Sequence, residues 1–318
     1  MSEAEDRTLG SLAGHGFAFA IPGKYPRSPH DKAALRGPRV RAWSPLFGFL
    51  WPGTACQITD NVSLIVGESY KGFEAEPFKR FLSAEEIEEC RSIGHWLEVN
   101  QDLYDEVSVR VRMNCFLLAL WLVQPTRTYL AMRFEEIENG EHLASRILER
   151  FQWIEGYVAE ELSSPDIERV RIVLPLLLNV YGASRRLRNA LILTFRARVS
   201  TDWQSSFICL TAAAEALLTY SQGPGLVGRL ADAFARLTGS SDPDRRVQNQ
   251  YFKRLYSVRS KIMHGRAHDR RNGEANLSDL AAMGDAIRLL WGRILESPEV
   301  MSALDADDHS RSDLFNGL

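Results

Sequence analysis

Hydrophobic residues recur at helical spacing through the second half of the chain, with only short interruptions. From residue 184 onward the breaks fall at stretches rich in glycine, serine and proline, residues 221–225 and 239–243. Because a helix places every third or fourth residue on one face, this period predicts amphipathic helices joined by short connections. We therefore expect four or five helices in an up-and-down bundle over residues 184–300.

Two segments border this bundle. The pattern is already helical from Glu141, which predicts a helical connector over residues 141–183. The polar stretch that begins at Asp305 predicts a frayed polar tail over residues 301–318.

The first part of the chain follows another pattern. Residues 1–80 are rich in glycine, proline and aromatic side chains, and the apolar residues at 58, 62, 64 and 66 fall at even spacing. Even spacing is typical of half-buried strands, so we expect a β-rich module with flanking helices over residues 1–140. The fold class predicted for the whole chain is α+β, mainly α, with this module N-terminal to the helical bundle.

Local signals place three elements within that module. Ser83 and Glu86 have the spacing of a capping box and predict a helix that begins there. A second helix is expected over residues 103–124, and residues 126–134 alternate enough to predict a strand that returns to the module. The aromatic stretch at residues 43–51 is either a ligand surface or the core of the module, and aromatic dominance of small cores favours the core.

Composition excludes several classes of protein. The four cysteines show neither a CxxC motif nor the spacing of a metal site, which favours free thiols, no metal and a reducing, cytoplasmic compartment. The N-terminus lacks the apolar segment of a secretory signal, and the longest apolar run, residues 115–123, is too short to cross a bilayer. Walker A, GxGxxG, GxSxG and HExxH patterns are absent from the sequence, and no cofactor is expected.

Charge is distributed unevenly, although the net charge is only −3. Between Arg245 and Arg271 there are nine cationic residues and one acid, Asp269, so this segment carries about +8 while the remainder carries about −11. The abundance of arginine over lysine is also what a GC-rich coding sequence produces, but that does not explain why acids avoid residues 245–268. A concentrated basic segment indicates contact with nucleic-acid phosphates.

Within the basic segment, residues 255–265 read Leu-Tyr-Ser-Val-Arg-Ser-Lys-Ile-Met-His-Gly. Arg259 lies in the middle of an apolar stripe, and a permanent charge there must be paired or must line a functional cleft. Glu215 and Asp285 are the candidate partners for a purely structural ion pair. The stripe consists of Phe252, Leu255, Tyr256, Ile262 and Met263.

His264 lies five residues after Arg259, about 140° around a regular helix, so the two side chains do not converge on one straight helix. Either the helix ends at Met263 and Gly265 lets His264 swing back, or a second chain completes the site. The alternative is a histidine that caps the helix C-terminus. Glu215 can orient Arg259 or His264, or point to solvent; the sequence leaves these open.

The whole combination resembles the HEPN superfamily, and within it the ApeA-like HEPN domains of bacterial defence proteins. The resemblance rests on Asn-Ala-Leu-Ile-Leu-Thr-Phe at 189–195, Ala-Glu-Ala-Leu-Leu at 214–218, a middle helix over residues 226–237, and Leu-Tyr-x-x-Arg-Ser-x-Ile-x-His-Gly. It covers roughly residues 184–298. It implies a helical bundle that dimerises so that two motifs face one cleft, and a metal-independent endoribonuclease of the toxin or anti-phage type.

Under this resemblance, Arg259 holds the scissile phosphate, His264 is the general acid or base, and Ser260 is an auxiliary polar residue. Glu215 and Tyr256 would support them, and RNA would also contact the basic residues Arg254, Lys261, Arg266, Arg270 and Arg271. The expected partners are RNA, a second copy of the chain, and an antitoxin or phage trigger, but no membrane. The alternative is a non-catalytic module that binds RNA, nucleotide or protein.

Overall fold

The computed structural model of the protein describes residues 38–67, 72–74, 76–103, 105, 107–126, 128–138, 140–147, 161–183, 185–220, 225–265 and 276–317. Over these ranges the fold is α+β and mainly helical, as predicted, with an antiparallel sheet in the first part and helices in the second.

The sheet is built around one long central strand. β1 (Arg39–Phe47) pairs on one side with β4 (His95–Asp102) and on the other with β6 (Met132–Ile137), so that Ala42 lies opposite both Val99 and Glu135. The sheet order is β2-β3-β4-β1-β6-β7, and β5 pairs with the far end of β1. The remaining strands are β2 (Cys56–Thr59), β3 (Val62–Val66), β5 (Tyr129–Leu130) and β7 (His142–Arg146).

The two faces of the sheet bury different side chains, because successive residues of a strand point to opposite sides. One face carries aromatic residues, among them Trp43 and Trp96, with Trp96 stacked on Phe73 at 5.3 Å between ring centroids. The other carries aliphatic residues such as Val40 and Val99, which pack toward the helices. Trp43, Phe47 and Phe49 are all buried, so the core interpretation of the aromatic stretch is confirmed.

In the described part of this region, three α-helices and a short 3₁₀ helix (Gly72–Glu74) accompany the sheet. The α-helices are α1 (Glu76–Lys79), α2 (Ala84–Ser92) and α3 (Val109–Val123). The predicted capping box at α2 is confirmed, since Ser83 N–H donates to the Glu86 carboxylate at 2.7 Å and Glu86 N–H donates to Ser83 Oγ at 3.1 Å. The expected start of the next helix at residue 103 is wrong. α3 begins later because Ser108 caps it, accepting from Val111 N–H.

The helical part contains α4 (Ser164–Ala183), α5 (Arg185–Val199), α6 (Trp203–Leu218), α7 (Leu226–Thr238), α8 (Asp242–Met263), α9 (Leu277–Glu296), α10 (Pro298–Asp305) and α11 (Asp308–Gly317). Five of these helices, α5 to α9, lie among the described residues of 184–300, in agreement with the four or five predicted. Neighbours in sequence pack on each other, α5 on α6 and α7 on α8.

Two predictions about the borders of the bundle are wrong. Residues 142–146 form β7 rather than a helix, because pairing with β6 satisfies their backbone groups, with Phe134 opposite Ala144. The tail is not frayed: α11 buries Phe315, which is 1% exposed and packs on Tyr220 at 5.1 Å between ring centroids. The buried Phe315 ring therefore packs this short helix on the bundle, together with the half-buried Leu314.

α3 connects the sheet to the helices, because it packs on β4 and also on α4 and α9. Its buried residues lie all around the helix, which accounts for the apolar run at 115–123. Arg288 on α9 donates to the last carbonyls of α3, Leu122 O at 3.5 Å and Val123 O at 3.4 Å. Among the helices that the structure describes, none combines the length and the apolar character needed to cross a membrane.

Candidate functional site

α8 carries the predicted motif, and local signals define both of its ends. Ser241 caps the start by accepting from Asp244 N–H, and Pro243 occupies the first turn, where its missing N–H costs nothing. At the other end Gly265 has a φ of +67°, and its N–H donates to Ile262 O at 3.0 Å. A left-handed glycine of this kind ends a helix, so the predicted helix stop at Gly265 is confirmed.

The buried face of α8 differs from the predicted stripe at its C-terminal end. Phe252, Leu255 and Tyr256 are buried as expected, and Phe252 stacks on Phe234 of α7 at 4.7 Å between ring centroids. Ile262 is half-buried and Met263 is 59% exposed, so the stripe ends one turn early. The last turn of α8 thus extends past the packed core, and it presents the motif at the surface.

Arg259 is held by two residues at this edge of the core. Its Nε lies 3.0 Å from Glu215 Oε1 on α6, and its guanidinium carbon lies 5.3 Å from the centre of the Tyr256 ring. The Tyr256 hydroxyl donates to the same Glu215 oxygen at 2.7 Å. Glu215 therefore faces Arg259 rather than solvent, and the other candidate partner, Asp285, lies 3.5 Å from Arg288.

The three side chains form an Arg–Glu–Tyr cluster (Arg259, Glu215 and Tyr256) whose electrostatics favour a fixed arrangement. Burial, followed by the hydrogen bond and charge of Glu215, raises the pKa of Tyr256 to about 12, so the phenol stays a donor at neutral pH. The Arg259 contact is close but not aligned as a hydrogen bond, and it acts mainly through charge. The Arg259 side chain remains 31% exposed, so it is not sealed inside the core.

His264 and Ser260 lie outside this cluster. Both are exposed, and the backbone N–H of His264 donates to Ser260 O at 3.1 Å as the helix ends. His264 has a φ of −94° and a ψ of 11° at the C-cap position. No hydrogen bond joins the side chains of Arg259 and His264, both of which the structure describes. Of the predicted site residues, the fold thus brings together Glu215, Tyr256 and Arg259.

The predicted RNA-binding residues divide into two groups. Arg254 is exposed on α8, with Nη1 3.7 Å from Asp279 and its guanidinium over the Tyr251 ring at 5.7 Å, so its charge is partly offset. Lys261 is half-buried on the last turn of the same helix. The other three predicted residues, Arg266, Arg270 and Arg271, lie outside the described residues.

Sequence reasoning missed one basic feature. A groove of about 540 Å³ between α7 and α8 is lined by Arg236, Arg245 and Arg246. Two of these arginines belong to the basic segment of the sequence, but Arg236 comes from the preceding helix. The available signal was the short turn at residues 239–241, which folds α7 back along α8 and brings the two ends together.

The described residues offer no group of three or more histidines, cysteines and carboxylates that could hold a metal ion. Burial raises the pKa of Cys90 and of Cys115 to about 12, so neither thiol is a nucleophile at neutral pH. The other two cysteines, Cys56 and Cys209, are also free and half-buried.

No protein-family model matches the chain, and neither does any curated protein or solved structure with which it was compared. The assignment of a function therefore depends on the motif and its geometry.

Proposed function

We propose that the protein is a metal-independent endoribonuclease of the HEPN type that uses Arg259 and His264. One observation carries the proposal: a partly exposed arginine, oriented by Glu215, lies on the same final stretch of α8 as an exposed histidine. The two residues are separated by about 7.5 Å along the helix axis. This pair and its sequence context match the motif by which the chain resembles that superfamily.

RNA supplies its own nucleophile, so such a site needs few groups. The 2′-oxygen forms a bond to phosphorus, the bond from phosphorus to the 5′-oxygen breaks, and a 2′,3′-cyclic phosphate remains. His264 takes the proton of the 2′-hydroxyl while water protonates the leaving 5′-oxygen, or water takes the first proton while protonated His264 supplies the second. Arg259 holds the phosphate and stabilises its developing charge through the terminal nitrogens, since its Nε faces Glu215.

The proposed active unit is a homodimer. Because His264 lies about 140° around α8 from Arg259, the two side chains of one chain do not reach one phosphate from the same side. Two copies related by a two-fold axis would place Arg259 of one protomer near His264 of the other. Met263, apolar and 59% exposed between the two motif residues, supports a contact at this end of α8.

The decisive experiment compares wild type with His264→Ala on total RNA and tRNA in EDTA. His309→Ala is the matched control, because His309 is also exposed and lies far along the chain on α11. We expect His264→Ala to lower the cleavage rate by about 10²- to 10⁴-fold, the usual loss for a general acid or base, and His309→Ala to leave it unchanged. Equal cleavage by all three proteins would contradict the proposal.

The dimer is tested with the same substrates. Arg259→Ala and His264→Ala are each expected to be inactive, but a mixture of the two regains activity if each chain contributes one residue to a shared site. A mixed dimer contains one intact site, formed by Arg259 of the His264→Ala chain and His264 of the Arg259→Ala chain. Failure of complementation in a sample whose subunits exchange would rule out the shared site.

A second candidate is a non-catalytic RNA-binding module. It is favoured by the fact that Arg259 already has a carboxylate partner within its own chain, which is also what a structural ion pair requires. Here RNA binding would be salt-sensitive, would survive His264→Ala and would yield no products.

The biological role that fits a ribonuclease of this type is a toxin or an anti-phage effector restrained by an antitoxin or a phage trigger. Growth arrest on expression of wild type, relieved by His264→Ala, is the expected behaviour.

A further inference from the structure

The groove between α7 and α8 has the composition of an anion site. Three arginines, Arg236, Arg245 and Arg246, line it from two helices. Gly239 makes this possible at the turn: a Cβ there would lie 2.7 Å from Arg245 Cγ and 2.8 Å from Ala235 O. The absence of a side chain thus lets Arg245 fold back across the turn into the groove.

These arginines differ from the other cations of α8. Arg254 and Arg259 each face a carboxylate, whereas no described carboxylate lies within 4.0 Å of a guanidinium nitrogen of Arg236, Arg245 or Arg246. Arg245 Nε, like Arg259 Nε, is buried and makes no hydrogen bond in the described part of the chain, but no carboxylate lies beside it. A buried donor without an acceptor is unfavourable, and a bound anion would satisfy it.

The other lining residues narrow the chemistry of the ligand. No aromatic side chain lines the groove, and its one apolar residue is Ala235, so a nucleobase finds no aromatic ring there on which to stack. Two carboxylates are present: Asp232 accepts from Asn249 Nδ2, while Asp242 opens α8. An acceptor beside phosphate-binding arginines suits a sugar hydroxyl, and the 2′-hydroxyl is what distinguishes RNA from DNA.

The groove lies at one end of a basic track. Arg246, Lys253 and His264 fall within about 20° of each other around α8, on its exposed side, and span about 27 Å along the axis. No acidic residue occurs between Asp244 and His264. At about 3.4 Å per phosphate, this length corresponds to roughly eight nucleotides of a stacked strand.

We propose that the groove formed by Arg236, Arg245 and Arg246 binds the ribose-phosphate backbone of RNA, without reading its sequence, and directs the strand along α8 toward His264. The direction of the strand toward His264 rests on the proposed ribonuclease function, but the binding of RNA in the groove does not. The groove is an exosite, about 21 Å along α8 from Arg259.

The test uses the full chain with Arg236→Glu and Arg246→Glu combined. Arg245 is left in place because it packs at Gly239. The control combines Arg169→Glu and Arg185→Glu, two exposed arginines on α4 and α5, which changes the net charge equally. A milder variant, Arg236→Gln with Arg246→Gln, keeps the test valid if the charge reversal impairs folding.

Binding is measured by fluorescence anisotropy with two unrelated 12-nucleotide RNAs and a DNA of matching sequence. We expect the groove variants to weaken the binding of both RNAs by about tenfold and to reduce the salt slope by about 1.4, the value for two lost phosphate contacts on a single strand. The control should bind as wild type does, and wild type should bind RNA more tightly than DNA.

Several outcomes would overturn the exosite. These are unchanged RNA affinity in the groove variants, equal affinity of wild type for RNA and DNA, or full competition by a mononucleotide at the concentration of the 12-mer. Cleavage of a four-nucleotide RNA separates the two proposals, because that substrate is too short to span both ends and should be cut equally by groove variants and wild type. If wild type cuts nothing while the groove variants still lose binding, the ribonuclease proposal fails and the exosite stands.

Discussion

Removing the negative charge of Glu215 should release Arg259 while leaving the fold nearly intact. Glu215→Gln keeps an oxygen that can accept from the Tyr256 hydroxyl, now 2.7 Å away, but removes the charge 3.0 Å from Arg259 Nε. The two side chains are 31% and 25% exposed, so water screens the pair only in part. Exposed pairs contribute about 0.2–1 kcal/mol, and breaking a buried pair costs about 3–5 kcal/mol. A value of roughly 1–1.5 kcal/mol is expected between these limits.

The measurement is a double-mutant cycle. The free energy of unfolding in urea is obtained for wild type, Glu215→Gln, Arg259→Met and the double variant, where methionine keeps much of the packing of arginine. The control cycle uses Arg293 and Glu296, an exposed pair on α9 at 3.6 Å, for which about 0.3–0.5 kcal/mol is expected. A coupling for Glu215 and Arg259 no larger than that of the control would refute the reasoning.

Glu215→Gln also distinguishes between two roles of Glu215, the positioning of Arg259 for catalysis and the mere pairing of its charge. If Glu215 orients Arg259 toward the phosphate, Glu215→Gln lowers kcat with little effect on KM, because the arginine still binds but is no longer fixed. If Glu215 only competes with RNA for Arg259, the same substitution lowers KM and leaves kcat unchanged.

Two further predictions concern stability. The pKa of Tyr256 is raised to about 12 in the folded protein, so the phenol stabilises the fold fully below its unfolded pKa near 10, and this contribution is lost as the pH rises through about 12. The difference in unfolding free energy between wild type and Tyr256→Phe should therefore shrink from pH 9 to pH 12. A difference that stays constant over this range would contradict the prediction. Phe315→Ala should destabilise the protein by about 3–4 kcal/mol in urea unfolding, because the ring is 1% exposed, whereas a loss below about 0.5 kcal/mol would mean that α11 is not part of the folded unit.

The sequence predicted well what local chemistry decides. Ser83 and Glu86 form their capping box, and the helical period of residues 184–300 yields the five helices α5 to α9. These features depend on neighbours three or four residues away, which a reader of the sequence sees directly. The strand β7 has no such signal, since its pairing with β6 is what makes it a strand.

The site was predictable only in part, for the same physical reason. The motif on α8 and its glycine stop are local, but the choice of partner for Arg259 is not. Glu215 and Asp285 were equally available by charge, and the packing of α6 against α8 selected Glu215. The groove also needed the tertiary fold, because Arg236 joins the arginines of α8 only when α7 folds back along that helix.

The two ends of α8 are suited to different tasks because their arginines are neutralised to different degrees. Because Glu215 offsets the charge of Arg259 at long range, Arg259 contributes little to the capture of a distant polyanion. The same ion pair holds Arg259 in a defined orientation. Arg236 and Arg246 have no described carboxylate partner, so they attract phosphates but are not fixed. The affinity for RNA should therefore depend on the groove and on the salt concentration. The rate of RNA turnover should depend on the Arg–Glu–Tyr cluster and on His264. Substitutions at the two ends should then be additive in free energy, because the sites are about 21 Å apart.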